Sequence, residues 1–161
     1  MQGIILKIEH RTDSSVWVHA YTREHGRQVY KVFGAGGKKK RLADLSPMSW
    51  AELTITPARV GRETVSEVQL LYVPQRIPFE VPRQVLALYM SEALCRVLTH
   101  AMADEPLYDF LVETIKELDS TEEWKTLPQA FTRRLSELLG YGGASIPELK
   151  DLKSGELLTM L

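Results

Sequence analysis

Apolar and polar positions alternate with period two in five short runs over the first 73 residues. Ile4, Leu6 and Ile8 alternate with Ile5, Lys7 and Glu9, and Val16, Val18 and Ala20 alternate with Trp17, His19 and Tyr21. Further runs span Arg27 to Phe33, Trp50 to Thr56 and Val65 to Val73, all rich in β-branched or aromatic residues. This is the pattern of half-buried strands. Thr12-Asp13-Ser14-Ser15, Glu24-His25-Gly26 and Val60-Gly61-Arg62 supply turn chemistry between them. Five short strands in so few residues predict a small closed barrel, and the OB-fold is the five-stranded Greek-key version.

Pro74, Pro78 and Pro82 then punctuate a stretch that admits neither a central strand nor a helix interior. Beyond it the period becomes helical. Leu86, Tyr89, Met90, Ala93, Leu94 and Val97 recur at helical spacing among further apolar residues, as in a helix buried on most sides. Asp104 is placed to cap a second helix with the stripe Leu107, Phe110, Leu111, Ile115 and Leu118. Thr126 and Gln129 have capping-box spacing ahead of Leu127, Phe131, Leu135, Leu138 and Leu139, and Gly140 suits the stop. The expected organisation is a barrel over residues 1–73, a linker over 74–82 and an all-helical domain over 83–161.

Composition changes this picture little. The chain has 161 residues, 44% hydrophobic and 25% charged, as in an ordinary globular protein able to bury a core. No apolar run approaches the roughly 20 residues of a membrane span, and no secretory signal is present, so no membrane partner is expected and the cytoplasm is the default location. The one cysteine, Cys95, permits neither an intrachain disulfide nor a cysteine-based zinc site, and its apolar run predicts an inert core thiol.

Charge changes it more. Residues 1–83 hold 13 Lys and Arg against 8 Asp and Glu, while residues 84–161 hold 7 against 13, so a net charge of −1 conceals a basic front and an acidic back. The sharpest feature is Gly34-Ala35-Gly36-Gly37-Lys38-Lys39-Lys40-Arg41, four consecutive cations behind a glycine hinge. Such packed charge repels itself and is relieved by a polyanion, most simply a nucleic-acid backbone; a solvated surface loop is the alternative.

Catalytic patterns are missing. Lys38 after Gly37 fails the phosphate-loop pattern at Val32 and Lys39, and Lys39 also stands where a dinucleotide-binding glycine belongs. His10, His19, His25 and His100 lack metal-ligand spacing, and no serine sits in a nucleophile elbow. Asp104-Glu105 and Glu122-Glu123 sit at predicted helix starts, where the helix dipole accounts for them. No enzyme activity, metal or cofactor is expected.

Four stretches resemble the bacterial recombination mediator and DNA-repair family RecO. Gly3-Ile4-Ile5-Leu6-Lys7 is similar to its opening strand, and Val18 through Arg27 to its strand, threonine-containing turn and Gly-Arg element. Lys31 to Gly34 with the basic loop is similar to the family's next element, and Phe131 to Tyr141 to its Phe-x-x-x-Leu-x-x-x-Leu-Gly-Tyr helix end. Leu107 to Leu111 fits the preceding helix. The resemblance implies an N-terminal OB-fold and a helical domain. It also implies binding of single- and double-stranded DNA, strand annealing, and recombinase loading with RecR on DNA coated by single-strand-binding protein. Gly142-Gly143-Ala144-Ser145 stands where zinc-bearing members carry cysteines, and the chain stops at Leu161, short of the family's usual C-terminal segment. The apolar end Leu157, Leu158, Met160 and Leu161 is expected to support self-association.

On such a barrel, cations track the backbone and aromatics stack on bases. The candidate DNA contacts are Lys38, Lys39, Lys40 and Arg41, with Arg23, Arg27, Lys31, Lys7 and Arg11 around them. Trp17 and Tyr21 share one strand face by parity; they and Tyr30 either offer stacking platforms or pack against the helical domain. Arg133 and Arg134 either make local salt bridges or receive an acidic peptide tail such as that of single-strand-binding protein. The expected function is non-enzymatic DNA binding in recombinational repair. A protein-binding adaptor on an OB scaffold and an OB-fold RNA-binding module are the rivals.

Overall fold

Residues 3 to 6 explain how the barrel begins. Gly3, Ile4, Ile5 and Leu6 are buried in succession, which strict alternation forbids. In the computed structural model, which describes residues 1–12, 15–33, 45–150 and 152, a register shift between Ile5 and Lys7 resolves this. The irregularity lets Ile5 face the core while Lys7, beyond it, turns to solvent.

The five strands are β1 (Gln2–His10), β2 (Ser15–Thr22), β3 (Gly26–Phe33), β4 (Trp50–Thr56) and β5 (Thr64–Leu70). They form a closed barrel in the order β1-β2-β3-β5-β4, with β4 returning to β1. Every pairing is antiparallel except β3 with β5, which meet in parallel at Lys31 and Thr64. This is the five-stranded OB architecture expected from the alternation. Val18, Ala20, Tyr30, Val32, Leu53 and Val65 belong to the core that fills it.

The helical part contains α1 (Val81–Val97), α2 (Glu105–Ser120) and α3 (Leu127–Leu138). Leu86, Tyr89, Met90, Ala93 and Leu94 of α1 are buried, as are Leu107, Leu111, Ile115 and Leu118 of α2 and Leu127, Phe131 and Leu135 of α3. Phe110 stacks on Phe131 at 5.7 Å between ring centroids. Gly140 ends α3 with φ +90, its N–H donating to the Glu137 carbonyl and that of Tyr141 to Ser136. That pair of bonds is a Schellman stop. The expected capping box does not form: Thr126 has helical backbone angles and donates its hydroxyl to the Glu123 carbonyl. Cys95 is half-buried, not the core thiol expected.

The chain divides into two compact units, one of Met1–Val73 with His100–Asp104, the other of Pro74–Thr99 with the chain from Glu105 onward. The barrel unit thus includes a strap from the α1–α2 connection. The Ala101 carbonyl accepts the Arg27 N–H at 3.0 Å, and the Met102 carbonyl accepts the Tyr21 hydroxyl at 2.9 Å. Within the helical unit, the buried carboxylate of Asp119 accepts the backbone N–H groups of Gln75, Arg76 and Ile77 at 2.8–3.1 Å. The proline-punctuated stretch is thereby tied to the end of α2. Arg83, fully buried, donates to the Leu118 carbonyl at 2.7 Å and to Glu80 at 3.0 Å.

Candidate nucleic-acid interface

Strand register decides which loops share an end of the barrel. His10 pairs with Val16, Ser15 with Phe33, Lys31 with Thr64, and Thr56 also with Thr64. The β1–β2 turn, the exit of β3 and the β4–β5 loop therefore open at one end. The chain enters the glycine- and lysine-rich segment there. Lys38, Lys39, Lys40 and Arg41 themselves lie outside the described residues.

At this end, Trp17 sits on the outer face of β2, directly across from Glu9 on β1 and Lys31 on β3. Two guanidiniums lie over its ring: Arg11 at 4.2 Å and Arg62 at 4.3 Å from the centroid. The indole face carries partial negative charge, which attracts such cations. Arg11 also pairs with Glu9 at 3.2 Å. Lys7 is exposed one step along β1, across from His19. The structure thus brings Lys7, Arg11, Trp17 and Lys31 onto one outer surface. It adds Arg62, which sequence reasoning placed only in a turn; its position three residues before the strand run at Val65 was the available signal.

The remaining candidates go elsewhere. Tyr21 is fully buried under the strap, and burial pushes its hydroxyl pKa up to about 12. Tyr30 points into the barrel core, with its hydroxyl likewise at about 12. Neither is a stacking platform. Arg23 lies at the opposite end of β2 and donates to the Gln2 side chain at 3.1 Å. Arg27 donates to His19 Nδ1 at 2.9 Å, and His19 Nε2 faces Glu9 at 3.0 Å. With Nδ1 accepting from a guanidinium, the neutral ring carries its proton on Nε2 and donates it to Glu9. In the helical unit, Arg134 pairs with Glu137 at 2.9 Å, the local bridge that was one of its two expected roles. Arg133 instead lines a groove of about 680 Å³ with Lys150, Tyr89, Thr132 and Ile146.

Burial first, and the neighbouring Arg27 guanidinium in addition, lower the pKa of His19 below its ordinary 6.5, against the pull of Glu9. In that window the unfolded state binds the proton that the folded ring refuses, so stability falls as pH drops through about 6.5. Urea midpoints at pH 7.5 and 5.5 are expected to differ less in His19→Gln than in the parent. Glu9, held below its ordinary 4.5 chiefly by its His19 hydrogen bond, acts only at lower pH.

Among the described residues, no group of His, Cys, Asp or Glu could hold a metal ion, and no helix is long and apolar enough to cross a membrane. The arrangement is an oligonucleotide-binding-fold barrel with cations gathered around one loop end, followed by a helical unit. Comparison with known proteins narrows that class. Residues 1–73 match the family described as "Recombination protein O N terminal". The chain is 25% identical over 163 residues to the DNA repair protein RecO of Phocaeicola vulgatus, covering 99% of this chain and 66% of that one. It is 29% identical over 171 residues to that of Porphyromonas gingivalis, covering 98% and 69%. The RecO of Actinobacillus pleuropneumoniae matches at 25% over 146 residues, or 88% and 58%. The first 73 residues thus resemble the N-terminal part of RecO, and the chain as a whole is similar to RecO proteins. It spans about two thirds of the length of the first two of these relatives.

Proposed function

We propose that this chain is a non-enzymatic DNA-binding protein of recombinational repair. It captures single- and double-stranded DNA through backbone phosphates and anneals complementary strands. The observation that carries the proposal is the convergence of Arg11, Lys31 and Arg62 around Trp17 at the barrel end where the chain enters Lys38–Arg41. Its relatives are named DNA repair proteins, which supports the same reading. Recombinase loading with RecR and single-strand-binding protein extends it. Arg133 and Lys150 flank a groove that suits an acidic peptide tail. The proposed location is the cytoplasm.

Fluorescence anisotropy of labelled single-stranded DNA across a salt titration tests the proposal. Affinity is expected to fall steeply with salt. Alanine at Lys38, Lys39, Lys40 and Arg41 together is expected to flatten the log–log slope by up to about 0.7 for each lost contact. Equal slopes would remove those four cations from the site, and absence of binding at low salt would overturn the function. Matched RNA competing as well as DNA would favour the RNA-binding rival.

A further inference from the structure

Trp17 has the place of a base-stacking residue but not the free surface of one. Two guanidiniums already lie over its ring, at 4.2 and 4.3 Å. The two therefore stand no more than about 8.5 Å apart, the limit those distances set. They come from separate loops, Arg11 from the β1–β2 turn and Arg62 from the β4–β5 loop, and both residues are exposed. Like charges brought that close repel, and the ring answers only part of that repulsion. The Glu9 carboxylate beside them is divided between Arg11 and His19. Arg62 makes no ion pair among the described residues, and Lys31 adds a third cation directly across from Trp17. Glu63, next to Arg62, is exposed, and its backbone carbonyl accepts the Lys31 N–H.

We infer that Trp17 is a positioning residue: it holds the Arg11 and Arg62 guanidiniums as a two-armed clamp for a backbone phosphodiester, and does not itself stack on bases. The inference rests on the DNA-binding reading and specifies how that site takes its ligand. A planar guanidinium presents paired N–H donors that match phosphate oxygens, and two of them held within about 8.5 Å of each other can engage one phosphate together, with hydrogen bonds of about 2.8 Å. The ring fixes each cation before the ligand arrives, which removes part of the ordering cost of binding.

The test compares two probes of equal length, an oligothymidylate and an abasic deoxyribose-phosphate oligomer, bound by the parent, Trp17→Leu, Trp17→Phe, Arg62→Ala and Arg11→Ala. Arg62→Ala and Arg11→Ala are expected to weaken both probes about five- to tenfold and to flatten the salt slope by up to about 0.7 each. Trp17→Leu removes no charge, yet it is expected to weaken both probes by a similar factor and lower the slope, with Trp17→Phe restoring most of both. Loss confined to the base-bearing probe, with the slope unchanged, would show that Trp17 stacks and overturn the clamp. Arg62 lies on an exposed loop, so its variant decides the matter should Trp17→Leu not fold: unchanged binding of the abasic probe by Arg62→Ala rejects the clamp. A parent that binds neither probe would instead overturn the DNA-binding reading itself.

Discussion

Gly26→Ala is expected to destabilise the barrel by about 3 kcal/mol. Gly26 has φ +68, a conformation that costs an L-residue roughly 1–2 kcal/mol. A Cβ there would stand 2.4 Å from the Ala101 carbonyl oxygen, 2.6 Å from the Met102 carbonyl carbon and 2.7 Å from the Ala103 nitrogen. All three are backbone atoms and cannot rotate aside, so overpacking adds a further ~1–3 kcal/mol. Gly61 is the control: its φ is +86, but nothing lies within 4 Å of its Cβ position, so Gly61→Ala should cost only the backbone strain of about 1–2 kcal/mol. Hydrogen exchange reads the difference locally. The Arg27 amide, donor to Ala101, should lose protection in Gly26→Ala and keep it in Gly61→Ala.

Asp119→Ala is expected to cost the helical unit a similar amount, about 3 kcal/mol. The substitution leaves three backbone N–H groups without their acceptor, and a buried donor left unsatisfied costs about 1–3 kcal/mol. Water reaches some of them, so the three do not add in full. Asp119→Asn keeps one acceptor oxygen and should fall between the parent and alanine. Arg76→Ala removes contacts to Glu80 and Glu122, but that side chain is 33% exposed and Glu122 80% exposed, so solvent screens the pairs and the expected loss is much smaller than for Asp119→Ala. Urea denaturation followed by helical circular dichroism ranks the four proteins; alanine at 119 and 76 costing alike would reject the buried-acceptor account.

Period-two alternation revealed the strands because each strand buries one face, and the inward positions Val16, Val18 and Ala20 followed from parity. Parity states which residues share a face, not what covers it. Tyr21 lies on the outer face with Trp17, yet the strap buries it while Trp17 stays half-buried. Nothing in His100–Asp104 announces such a partner, because those residues contribute carbonyls, which every residue has. The buried run at the start of β1 hid its register shift for a related reason: three aliphatics in a row fit a bulge or a strand buried on both faces equally well. The capping box failed because Thr126 is already helical in backbone, so its hydroxyl turns back to Glu123. Of the site, the cations of β1 and β3 were legible by position, whereas Arg62 needed the barrel's register to bring its loop beside Trp17.

Because the strap is drawn from residues 100–104, the barrel is finished by chain that comes roughly thirty residues after β5. At about 5–20 residues per second, a ribosome takes roughly 2–6 s to add them. Through that interval the Tyr21 hydroxyl and the notch above Gly26 lack the chain that covers them in the finished barrel. Synthesis of α1 therefore always precedes completion of the barrel, and the order of translation builds the first helix before the first domain is sealed.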